Sequence, residues 1–165
     1  MFDPARYGDE VARILALDGS GQRLMPLSVS ECTSAEARRL IRSSELPGVL
    51  RAGLFFYFSC WNEAHSVAQN IDTPEGSYWH ALVHRQEPDA FNAGYWFRRV
   101  GDHSIFPALR KYAATCGVNF GLNWDPIAFV DYCGRAESGS QDEQKAQAVQ
   151  RAEWQLLFDH CARVG

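Results

Sequence analysis

Lysine is nearly missing from this chain. Of its 16 basic residues only Lys111 and Lys145 are lysine, and 14 are arginine. Arginine carries a planar fork of donors that suits buried carboxylates or phosphates, although a biased genome composition would give the same excess. The five cysteines (Cys32, Cys60, Cys116, Cys133 and Cys161) contain no CxxC pair, which argues against a zinc ribbon or a thioredoxin-type redox site. Scattered and odd in number, they read as buried, inert thiols in a reducing compartment. No long apolar run exists. The longest, "GLFFYFSCW", is far too short for a bilayer, so no membrane partner is expected. "MFDPARYGDE" lacks the basic-then-apolar order of a signal peptide, and the expected location is cytoplasmic. There is no G-x-S-x-G elbow, GxxxxGK phosphate loop or GxGxxG fingerprint. A surplus of positive charge is lacking too: the formal net charge is −4, so no nucleic-acid partner is expected.

What is present is a set of helix signals. Asp3-Pro4 starts a helix expected to run through "ARYGDEVARILAL" to the Asp18-Gly19 breaker. "QRLMPLSVS" reads as an extended connection, and Thr33-Ser34-Ala35-Glu36 as a capping box. Pro47 opens a segment, apolar first and polar later, expected to bend or break near Ser59. Thr73-Pro74, Pro88-Asp89, Asp102-His103, Asp125-Pro126 and Ser140-Gln141-Asp142-Glu143 mark further starts. In the last helix Val149, Leu156, Leu157, Cys161 and Val164 keep helical spacing. The expected fold class is all-α: a single domain over residues 1–165, built as a compact bundle of about six to eight helices. Its expected flexible loop is 137–142.

The chemistry concentrates between Ser77 and His103, where three of the five histidines lie. On a helical wheel Tyr78, Trp79, Leu82 and Val83 share one face, and Ser77, His80, His84 and Glu87 the opposite one. His80 and His84 are one turn apart, so their imidazoles can converge on a divalent metal such as zinc. The H-E-x-x-H signature is absent, and a solvated polar face has the same spacing. A third ligand has to come from elsewhere, with His65 or Glu63 as candidates. In the next helix Phe91, Ala93, Tyr95, Trp96, Phe97 and Val100 spread around the circumference, which implies burial of Asn92, Arg98 and Arg99 as well. Buried arginines need carboxylates around them. Two readings stand: a fixed ionic network, or guanidinium groups lining a cavity for an anionic ligand. Arg85, at the edge of the apolar face, has Glu87, Asp89 or solvent within reach.

The run from Asn62 to Phe106, "NEAHSVAQNIDTPEGSYWHALVHRQEPDAFNAGYWFRRVGDHSIF", resembles a mainly bacterial family without an assigned activity. Members of that family carry approximately E-S-H, T-P-x-G-x-Y/F-W-H, H-R-x-E-x-D, N-A-x-Y-W-F-R-R-V-G and H-P. Ala64 stands where the pattern has Ser, and Ser104 where it has Pro. The resemblance implies that positions 61 to 106 act as one unit, and implies no reaction.

Taken together, these residues point to a helical protein with a polar pocket for a small anionic or polyhydroxylated molecule. His80 and His84 are the candidate metal ligands, Glu63 and Glu87 the candidate general bases, and His65, Arg85, Asn92, Arg98 and Arg99 the candidate ligand-binding groups. Hydrolysis or lyase-type proton abstraction fits that set. The other reading is a non-catalytic structural or interaction module, in which the polar cluster is a buried network fixing helix register.

Overall fold

Residues 2–164 are described by a computed structural model whose helices begin where the capping residues stand. There are nine α-helices and two 3-10 turns, with no strand among the described residues. The helices are α1 (Asp9–Leu15), α2 (Ala35–Ser43), α3 (Gly48–Tyr57), α4 (Trp61–Ala68), α5 (Pro74–Gln86), α6 (Ala90–Val100), α7 (Phe106–Thr115), α8 (Pro126–Arg135) and α9 (Gln141–Val164). The fold is all-α, as expected, with slightly more pieces than the capping signals suggested. The first expected helix is divided because Gly8, at φ 92°, separates the 3-10 turn Pro4–Tyr7 from α1. The segment after Pro47 breaks into α3 and α4 at Ser59, which adopts φ 58°. Gln141 and Asp142, placed in the flexible loop by the sequence reading, belong to the first turn of α9. Among the described residues no helix is long and apolar enough to cross a membrane.

The bundle is organised around α5, which packs on α3, α4, α6 and α8. Its start is firmly capped. The Thr73 hydroxyl accepts the Gly76 N–H at 3.2 Å, and Pro74 occupies the first turn, where no N–H is needed. Gly76 is required sterically, because a Cβ there would stand 2.2 Å from the Ile71 carbonyl oxygen. From Gly76 to Gln86 every residue of α5 is buried. The face bearing His80 and His84 is covered by α4, so the wheel's polar side turns toward protein rather than water.

The arginine that enters the core is Arg85. Its Nη2 donates to Glu153 at 2.7 Å and to Gln150 at 3.1 Å, and its Cζ lies 4.8 Å from the Phe129 ring centroid. Tyr78 donates its hydroxyl to the other Glu153 oxygen at 2.9 Å. The side chains of Arg85 and Glu153 are 1% and 0% exposed. Burial pulls the Arg85 pKa down, and the Glu153 carboxylate overrides this and raises it. Gln150 also donates to the carbonyls of Met25 and Pro26, fastening the extended connection onto α9.

Two expectations are corrected. Helix α6 is not enclosed: it buries Ala93, Gly94, Phe97 and Val100, an ordinary i, i+4, i+7 stripe, while Phe91 is 80% exposed. Arg98 and Arg99 therefore face solvent in the last turn, where cations complement the helix dipole. The cysteines are not all free thiols either, because Cys32 is bonded to Cys60. Cys133 and Cys161 are buried free thiols whose pKa burial pushes up to about 12, and Cys116 is half-buried.

Candidate metal centre

Three histidines meet between α4 and α5. His65 comes from α4, and His80 and His84 from successive turns of α5. The Nε2 atoms of His65 and His80 are 3.1 Å apart, and those of His80 and His84 are 3.2 Å apart. One ring nitrogen from each of the three lies within 4.8 Å of the other two. A tetrahedral ion holding two imidazoles at roughly 2.0–2.1 Å would set their nitrogens about 3.3 Å apart. The observed separations lie close to that value.

Each ring is held by what surrounds it. His84 Nδ1 lies 2.9 Å from a Glu87 carboxylate oxygen, which can only accept, so the proton sits on Nδ1 and the Nε2 lone pair faces the cluster. Trp61 stacks on His65 with ring centroids 5.2 Å apart and planes 16° apart. Its indole N–H donates to the Val83 carbonyl at 3.0 Å, which ties α4 to α5. Trp96, from α6, lies over His80 at 4.1 Å. Beyond Trp96, the Arg99 guanidinium sits 5.4 Å from the indole and pairs with Asp72 at 3.3 Å. Two tryptophans thus wall the imidazoles, and contact with solvent is kept through half-buried His65 and exposed Glu87.

The electrostatics favour neutral imidazoles at His80 and His65. Burial and then the neighbouring His84 and His65 rings push the His80 pKa down to about 4. Burial and His84 also lower that of His65, with Glu87 opposing. Neutral rings are what a metal ion requires. The buried Nδ1 of His80 has no hydrogen-bond partner. Without a cation, His80 can place one N–H among three converging nitrogens, and whichever way it does so a contact stays unsatisfied. A divalent ion would receive all three lone pairs at once, with the His80 proton then on Nδ1, where it has no acceptor.

The structure brings together only part of the expected set. His65, His80, His84 and Glu87 converge. Glu63 does not join them: it faces the α2 side and is bonded to both Arg38 and Arg42. Those two guanidinium groups outweigh burial and lower its pKa, so it is held as a surface ion pair rather than as a base. Asn92 is committed to Asp89, donating its side-chain amide at 2.7 Å and its backbone N–H at 3.0 Å. Arg85 is committed to Glu153, and Arg98 is exposed. The sequence reading missed Glu153 and Gln150. Glu153 stands four residues after Val149 and four before Leu157, so it falls on the apolar stripe of α9, a signal that was available. Glu75 and His160 were missed as well; they meet His103 only through folding and carry no local signature.

No family model matches this chain, and neither a curated protein nor a solved structure matches it.

Proposed function

We propose that the protein binds one divalent transition-metal ion at His65, His80 and His84 and uses it as the centre of a small-molecule site, in a hydrolase or lyase type of reaction. The observation that carries this reading is the convergence of three Nε2 atoms at 3.1 and 3.2 Å. Three imidazoles leave a fourth position of a tetrahedral ion for water or substrate, the arrangement of catalytic rather than structural zinc. A metal in such a site supplies Lewis acidity toward an oxygen of the bound molecule.

The chain's own residues do the rest. Glu87 holds the His84 proton on Nδ1 and fixes that ring's direction, which is a positioning role rather than that of a free base. Trp61 and Trp96 keep water from the imidazole faces. Arg99, stacked on Trp96 at the rim, supplies a positive charge that suits an anionic or polyhydroxylated ligand. The buried Arg85–Glu153–Tyr78 group serves the other expected role, fixing how α5 sits on α9. The structural reading thus has its own residues and does not compete for the histidines.

The test is metal content and thermal shift on purified protein, with and without EDTA, and with Zn, Mn, Fe or Ni added back. Metal at about 100 times its dissociation constant stabilises by about 2.7 kcal/mol. For a chain of this size that is roughly 5–11 °C in Tm, at about 2–4 °C per kcal/mol. His80→Ala should abolish the part of the shift that belongs to this site. A wild-type Tm unmoved by chelator and by all four metals would remove the proposal.

A further inference from the structure

A second histidine cluster lies at the opposite end of α5 and plays no part in the centre above. Glu75 stands in the first turn of α5, His103 in the turn between α6 and α7, and His160 near the end of α9. Glu75 Oε1 is 3.1 Å from His160 Nε2 and 3.9 Å from His103 Nε2. One donor atom from each residue lies within 4.8 Å of the other two. The two imidazoles face each other with ring centroids 4.7 Å apart.

Two hydrogen-bonding observations point inward. His160 Nδ1 lies 3.2 Å from the Ser104 hydroxyl. Without an ion the Nε2 proton goes to the Glu75 carboxylate, which can only accept, and the Ser104 hydroxyl donates to Nδ1; an ion would displace that proton to Nδ1, where the same hydroxyl can accept it, and free the Nε2 lone pair. His103 is 5% exposed, and its Nε2 is buried with no hydrogen-bond partner. That nitrogen is aimed at the same carboxylate oxygen from beyond hydrogen-bonding distance. A separation of 3.9 Å is too long for N–H···O, and an ion would draw the two atoms together by about half an ångström to the spacing of two tetrahedral ligands. The other nitrogen of His103 accepts from the Ile105 N–H at 3.4 Å, at the weak end of such contacts, so moving the ring proton to Nδ1 gives up little.

We propose that Glu75, His103 and His160 form a second divalent-metal site of the two-imidazole, one-carboxylate kind. With a carboxylate among its ligands it accepts harder ions than the trihistidine centre, Mn and Fe(II) as well as Zn. Its three ligands come from the start of α5, the α6–α7 turn and the end of α9. An occupied site therefore joins the C-terminal helix to the central one.

The experiment is metal stoichiometry of the protein, stripped with EDTA, reloaded with Zn or Mn and desalted, compared among wild type, Glu75→Gln, His160→Gln and His80→Ala. Far-UV circular dichroism establishes that each variant is folded, and His160→Gln stands in should Glu75→Gln fail to fold. Two ions per wild-type chain, falling to one in Glu75→Gln or His160→Gln and separately to one in His80→Ala, is the expected result. One ion lost only in Glu75→Gln or His160→Gln supports this site and sinks the trihistidine centre. One ion lost only in His80→Ala overturns this site alone. No bound ion in any protein overturns both.

Discussion

Replacing Arg85 by methionine separates a structural arginine from a ligand-binding one. The substitution keeps an unbranched apolar stem and removes the charge beside Glu153, a carboxylate with 0% exposure whose remaining donor is the Tyr78 hydroxyl. Breaking a buried pair on one side costs about 3–5 kcal/mol. The hydrogen bonds that Arg85 gives to Glu153 and Gln150 are lost as well. The loss should appear as a Tm lower by roughly 6–20 °C. Urea denaturation of wild type and Arg85→Met at pH 7 measures it. A deficit below about 1 kcal/mol would refute the assignment of Arg85 to a closed ion pair.

Three further outcomes are expected. Glu87→Gln, which releases the His84 proton from its carboxylate partner, should weaken metal affinity by about 10–100-fold with the fold intact, by competition with a chromogenic chelator. In EDTA, the wild type should lose stability as pH drops from about 6.5 to about 4, because unfolded His80 takes its proton near 6.5 whereas the buried folded ring waits until about 4; the contribution is at most about 3 kcal/mol, read from denaturation midpoints. Stability constant through that window would contradict the neutral buried imidazole. Arg98→Met, on the exposed side of α6, should change unfolding free energy by no more than about 0.5 kcal/mol, and a multi-kcal loss would place Arg98 in a network that the structure does not show.

What could be read beforehand divides by range. Helix starts were legible because Thr73, Asp89, Asp125 and Ser140 act within a few residues of themselves. The i, i+4 pair His80/His84 was legible for the same reason, and His65 could be named as a third ligand because α4 follows the break at Ser59 closely. Partners set by packing were not legible. Glu63 is drawn to Arg38 and Arg42 of α2, and Arg85 to Glu153, which lies 68 positions away. Helix α6 misled in a different way. Its large aromatics suggest enclosure, but Phe91 and Tyr95 project outward and two of its four buried residues are the small Ala93 and Gly94. Side-chain size is no measure of burial here.

Because α5 has no water-facing side from Gly76 to Gln86, the backbone amides of His80 and His84 can exchange with solvent only when much of the bundle opens. His65 rides on α4, which is eight residues long and follows a left-handed kink. In the proposed centre two donors thus stand on an enclosed helix and the third on a short peripheral one, so local opening of α4 would set how fast an ion entered or escaped, leaving the scaffold undisturbed.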